Sequence, residues 1–189
     1  VDTFFDKNTE NGTWAESGTE TLIISGDFDS TGGTFTKATG TVQLEGGVKT
    51  ITNSQTFNNL EFNQTASGNV TIAAGTTLTV DGTLTISGGS RISLNTGDIS
   101  AKGHITVTNT NASSGGNATI TINGGGDQTL TGSGTGGQGG LPSVTINKTT
   151  GTLTFTSTIS VAGTWTYTAG TVDATTNNST VYFISGSTV

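Results

Sequence analysis

His104 is the only histidine in the chain, and it stands in "AKGHITV", shortly after Asp98 of "NTGD". An imidazole near a carboxylate is a common device for moving a proton at neutral pH. Cleaving a glycosidic bond needs more: two carboxyl groups must flank it, and Asp98 alone lies close to His104 in sequence. The pattern predicts an exposed histidine at the start of a strand, and no catalytic residue is assigned. Asp27 and Asp29 in "GDFDSTGG" have the alternating spacing of the first ligands of a calcium loop, with Gly32 at its sixth position. The twelfth position is Ala38, where such a loop needs a bidentate Glu. "NGGGDQTL" (123–130) is one imperfect copy of a calcium-binding nonapeptide that works only in tandem arrays. Both stretches read as solvated turns, so no metal and no cofactor is expected.

Sequons begin at Asn11, Asn63, Asn69, Asn111, Asn117, Asn147, Asn177 and Asn178, each a candidate for N-glycosylation in a host that performs it. The runs Thr83/Thr85, Thr152/Thr154/Thr156 and Thr164/Thr166/Thr168 would offer a hydroxyl surface able to match ice if the spacing between runs were constant. The spacing drifts, which argues against a lattice. Trp165 and Tyr167 occupy the places of Leu84 and Ile86 in an internal repeat, so they are expected in the core rather than on a sugar-stacking platform.

The elements that carry these residues follow from composition. Of 189 residues, 44 are Thr, 18 Ser and 30 Gly; one is Pro, 10% are charged and 30% hydrophobic. Low hydrophobicity accompanies disorder when charge and Pro are abundant, and here both are scarce. The formal net charge is −7, with Asp2, Asp6, Glu10, Glu16, Glu20, Asp27 and Asp29 facing only Lys7 in the first 30 residues. That balance opposes binding to nucleic acid or to an anionic membrane surface. The chain has no Cys, hence no disulfide scaffold. No apolar run is long enough for a transmembrane helix, and membrane insertion is not expected.

Apolar residues come in pairs two apart: Val42/Leu44, Leu60/Phe62, Val70/Ile72, Leu84/Ile86, Ile92/Leu94, Ile105/Val107, Ile120/Ile122, Val144/Ile146, Leu153/Phe155 and Trp165/Tyr167. Period two places both members on one face of a strand with Thr or Ser on the other. Strands this short, recurring every six to ten residues, are satisfied by coils stacked at about 4.8 Å. The predicted fold is all-β: a single-stranded, right-handed parallel β-helix (β-solenoid) with about three short strands per coil and the listed pairs as its core.

Internal similarity supports this. "TVQLEGGVKTIT" (41–52) matches "TITINGGGDQTLT" (119–131), and "LTVDGTLTISGG" (78–89) matches "ISVAGTWTYTAG" (159–170), which implies a degenerate repeat of roughly eighty residues. The stretches "GTVQLEGGVKTITNSQTFNNLEF" (40–62) and "GDISAKGHITVTNTNASSGGNATITING" (97–124) resemble the β-helix repeats of secreted bacterial surface proteins of the filamentous-haemagglutinin-like adhesin type. The resemblance covers 26–189 and implies secretion to the extracellular space or cell surface, a structural or adhesive role such as biofilm matrix, and no active site. Residues 1–25, with Phe4, Phe5 and Trp14, are expected to form a cap or joining segment, and 26–189 the solenoid. The closing "STVYFISGSTV" resembles the opening of the repeat and stops within it. The expectation is a non-enzymatic filament subunit that self-assembles head-to-tail through Phe4, Phe5, Trp14, Val181 and Phe183. The alternative is an adhesin shaft continued by neighbouring repeats of a longer chain, with surface glycans or host protein as partner.

Overall fold

The structure, a computed structural model, describes residues 13–189. These residues form strands and turns with no helix, wound into about eight coils of a parallel β-solenoid. Three faces run along it. Face A stacks β1 (Thr13–Ala15), β4 (Thr34–Thr36), β7 (Gln55–Phe57), the later half of β9 (Gly68–Val80), the later half of β11 (Ile92–Ala101), β13 (Thr119–Ile122) and the first halves of β15 (Ser143–Thr156) and β17 (Trp165–Asp173). Face B stacks β2 (Thr21–Ile24), β5 (Thr41–Glu45), β8 (Asn59–Asn63), β10 (Leu84–Ser87), β12 (Ile105–Val107), β14 (Gln128–Thr131) and the later halves of β15 and β17. Face C holds β3 (Phe28–Asp29), β6 (Lys49–Thr52), the first halves of β9 and β11, β16 (Thr158–Val161) and β18 (Thr180–Phe183). In coils five and six, loops 108–118 and 132–142 replace regular strands on face C, tied in by single bridges such as Ser93 to Gly115 and Leu141 to Val161.

The period-two pairs do what their spacing requires. Leu84 lies in register between Leu60 and Ile105, and Ile120 between Ile99 and Val144, so like side chains stack coil on coil in one continuous core. Each buried Leu or Ile removed from water contributes about 1.5–3 kcal/mol, and two per strand suffice because the interior is narrow. Leu22, Ile24, Phe28, Ile51, Phe57, Ile99, Leu130 and Leu141 extend this core beyond the predicted pairs.

Several expectations are corrected. Trp165 only packs partly buried against the core, and Tyr167 is 59% exposed with its hydroxyl donating to Gly170 O at 2.6 Å. Both belong to coil eight, whose face A strand pairs with β15 on one side and on the other meets only the bridge of Thr164 to Thr188, with the Phe183 ring edge-on to Trp165 at 6.3 Å. Of the segment 1–25 expected as a cap or joining piece, the structure describes the part from Thr13 on. β1 pairs with β4 and β2 with β5, so residues 13–24 already belong to the first coil. Trp14 stands in register with Phe35 in that coil, while Phe4 and Phe5 lie outside the described residues.

The eighty-residue repeat is likewise out of phase with the coils. Val42 and Leu84 lie on face B, but their counterparts Ile120 and Trp165 lie on face A. All three faces use the same alternation, so an alignment cannot tell one from another. The physical repeat is the coil, whose length on face B ranges from the 18 residues between Val42 and Leu60 to the 25 between Ile105 and Leu130. Corners absorb the variation: β9 and β15 bend from one face to the next at Gly75 (φ 75°) and Gly151 (φ 71°), in the left-handed region where a side chain is strained.

Candidate functional site

The residues whose types suggested chemistry share one structural task at the corner where face A turns into face B. His104 is exposed, and its Nδ1 accepts the backbone N–H of Thr129 in the next coil at 3.0 Å. Asp127 Oδ1 accepts Thr152 N–H at 2.8 Å, and Asn59 Oδ1 accepts Thr83 N–H at 2.8 Å. Three different side chains thus do the same work, each accepting a backbone N–H near the start of the face B strand in the next coil, a donor that must be placed somewhere. This arrangement leaves His104 Nδ1 occupied by a structural donor. Asp98 is exposed on face A, in register with Thr77 and Thr119, and does not share a strand face with His104.

Asp27 and Asp29 are spent in the same way. Asp27 Oδ1 accepts Thr50 N–H at 2.7 Å; Asp29 Oδ1 accepts Thr31 N–H at 2.9 Å and the Thr52 hydroxyl at 2.5 Å. Among the described residues no cluster of three or more His, Cys, Asp or Glu side chains forms a metal site. Farther along, Asp173 Oδ1 accepts the N–H groups of Thr175 and Thr176, and hydroxyl donation from Thr176 and Thr175 adds to hold its carboxyl well below 3.8.

A second set of residues was not singled out from the sequence. Lys148 is 1% exposed, and its Nζ donates to Gly124 O (2.7 Å), Gly126 O (2.9 Å) and Gln128 Oε1 (2.7 Å), all in the coil below. Gln128 Nε2 in turn reaches one coil further down, to Ala101 O (3.1 Å) and Gly103 O (2.6 Å). At the corner between faces B and C, Lys49 donates to Glu45 O, Gln64 to Gly47 O, and Asn109 to Ser87, Gly88 and Ser90 carbonyls. These side chains line the inside of turns and neutralise carbonyls that no strand can pair. Burial lowers the amines of Lys49 and Lys148 from 10.5, opposed by the carboxylates of Glu45 and Asp127 respectively. The signal was present in the alternation: Lys148 follows Val144 and Ile146 at the inward parity, and Lys49 precedes Ile51 by two.

On face A the outward hydroxyls keep register through the variation in coil length. Thr56, Thr79, Ser100, Thr121, Thr145 and Thr166 form one column, and Thr77, Asp98, Thr119 and Ser143 a second. Drift in sequence spacing therefore does not disorder the array, because loops take it up at the corners. The interruption that remains is chemical: the carboxylate of Asp98.

The sequon asparagines are scattered over the surface. Asn69, Asn117, Asn147, Asn177 and Asn178 are exposed, Asn63 and Asn111 half-buried, and Asn11 lies outside the described residues. Asn177 Nδ2, the atom a glycan would take, donates to Phe155 O at 3.2 Å. At the last coil, Val181 is half-buried, Phe183 (38% exposed) is edge-on to Trp165 at 6.3 Å, and Tyr182 (47%) lies on the other side of the strand, its ring over Gly136. β18 pairs only with β16. Thr180 N–H and Ile184 N–H point back to Ser157 O and Val161 O. By strand alternation the N–H groups of Val181 and Phe183 face the open side.

No protein-family model, no curated protein and no solved structure matches this chain.

Proposed function

We propose that the chain is a non-enzymatic structural subunit of an extracellular fibre in which β-solenoids stack end to end. The observation that carries this reading is the ladder itself, in which each coil is the template for the next: Leu84 lies in register between Leu60 and Ile105, and β18 repeats the register of β16 beneath it. The edge of such a ladder templates another strand, and a heterologous contact between unlike ends propagates as a filament. The carboxylates and the histidine at the corners are engaged in holding coils together, which supports a structural rather than a catalytic role. A second reading, the shaft of an adhesin, places further coils of the same polypeptide on the same edge.

Electron microscopy and sedimentation of the purified 189-residue chain test the proposal. Filaments are expected, and Phe183→Pro, which removes one outward N–H and the aromatic ring while leaving the bonds of Thr180 and Ile184 to the coil below, should shorten or abolish them. Dispersed monomers at high concentration, or unaltered filaments of Phe183→Pro, would overturn head-to-tail assembly.

A further inference from the structure

The ladder of face A is broken at one place. β4 pairs with β1 and β7 with β9, but no register joins β4 to β7. The cause lies beneath. Phe35 in coil two and Phe57 in coil three have ring centroids 5.6 Å apart, each also edge-on to Phe28 at 5.8 and 5.6 Å. Adjacent strands pair at about 4.8 Å, so this trio of rings wedges the two strands apart. A groove of about 440 Å³ opens over the break, with Phe35 beneath and Thr36, Lys37, Gln55, Thr56, Thr77 and Thr79 around it.

The chemistry of this lining is selective. No carboxylate lines it, so it offers nothing to a metal cation. Its one ammonium, Lys37, is paired with Asp81 Oδ2 at 2.9 Å, which discounts an anion. The hydroxyls carried by Thr36, Thr56, Thr77 and Thr79 are groups that both donate and accept. Gln55, half-buried in register with Leu78, gives its Nε2 to Ser30 Oγ at 2.6 Å, which leaves its Oε1 as an acceptor within the lining. Neutral donors and acceptors at several points over an apolar floor suit a neutral polyhydroxylated ligand. The three-residue strands bordering the groove span about 10 Å, room for about two sugar rings, and the volume falls within the range of small-molecule sites.

We propose that this groove binds a neutral saccharide of about two rings, with Gln55 Oε1 and the hydroxyls of Thr36, Thr56 and Thr79 as its polar contacts. The site does not depend on end-to-end assembly. An open groove without a buried charge pair gives weak binding, with dissociation constants of about 1 mM.

Amide spectra of the 15N-labelled full chain carrying Phe183→Pro, which keeps it dispersed if the parent assembles, titrated with maltose, cellobiose and N,N′-diacetylchitobiose, test it, every variant below being made in that background. At least one disaccharide should give saturable shifts confined to residues 36–37, 54–56 and 77–79. Gln55→Ala should weaken that binding about tenfold, Thr56→Trp should abolish it by filling the groove, and Thr131→Trp on face B should leave it unchanged. The same spectra report whether each variant is folded. Absence of saturable shifts with all three sugars, shifts centred elsewhere, or undiminished binding by folded Thr56→Trp would overturn the proposal.

Discussion

Replacing Lys148 with Met keeps most of the buried stem and removes the ammonium. Three acceptors then lose a donor: Gly124 O, Gly126 O and Gln128 Oε1. Gln128 Oε1 still receives Gly124 N–H at 2.8 Å, and Gly126 is exposed so water can replace the amine there. Gly124 is buried, so its carbonyl bears the loss. An unsatisfied buried acceptor costs about 1–3 kcal/mol, and relief from desolvating the ammonium offsets part of it. A net loss of about 2 kcal/mol is expected, or about 4–8 °C in Tm for a chain of this size, read by thermal and urea denaturation. Lys102→Met, at an exposed corner two coils below, should stay within about 0.5 kcal/mol. The pH dependence gives an independent check. The amine of Lys148 is lowered by burial, so between its folded value and 10.5 the unfolded chain binds more protons and stability rises with pH; below the folded value the cost is constant. Lys148→Met should flatten that alkaline rise. A variant as stable as the parent, with the rise intact, would refute the view that this ammonium ties the coils together.

Gly103→Ala should prevent or severely weaken folding, because a Cβ there would sit 1.8 Å from Gly82 O in the coil below, whereas Gly126→Ala meets nothing within 4 Å and should leave Tm nearly unchanged. Leu84→Ala, in the middle of the stack, should cost about 2.5–5 kcal/mol in urea denaturation, and Tyr167→Ala, at the uncovered end, less than about 1 kcal/mol. In a carbon-detected acid titration the Asp173 carboxyl should remain ionised as the pH falls past 3.8, and Thr176→Val, which deletes its leading hydroxyl donor, should move its titration back up. Loss of that carboxylate's bonds on acidification removes stability only below 3.8, since its folded pKa is the depressed one.

The strand alternation was legible because a solenoid has one rule per strand: two inward aliphatics, hydroxyls outward. Ile120/Ile122 and Leu84/Ile86 obey it and are buried. Phe28 and Phe57 were harder to place because neither has an apolar residue two positions away in its strand: β3 is only two residues long, and β7 carries Gln55 at that place. Tyr167 had the right parity and the wrong coil, since burial also requires a neighbour above. Lys49 and Lys148 had the right parity and the wrong chemistry for a core, which hid them. Register could not be read at all: coil lengths differ, and a constant spacing exists only in space. The corner role of His104, Asp127 and Asn59 escaped notice for the same reason, because each acts on a residue more than twenty positions away.

The break between β4 and β7 also bears on mechanics. Hydrogen bonds in a parallel ladder run across the strands, which in a stacked coil means along the long axis. Tension between the ends is therefore carried by successive coils in series, each joint sharing the load among the faces that pair across it. The joint between coils two and three lacks the face A share. What crosses it on that side is side chains rather than a ladder: the rings of Phe35 and Phe57, Gln55 Nε2 to Ser30 Oγ at 2.6 Å, Asn58 Nδ2 reaching back to Thr39 O at 2.8 Å, and Lys37 of coil two reaching past coil three to Asp81 of coil four. That ion pair works as a stay across the weak joint, limiting how far it opens. Salt, by screening the pair, would soften that joint.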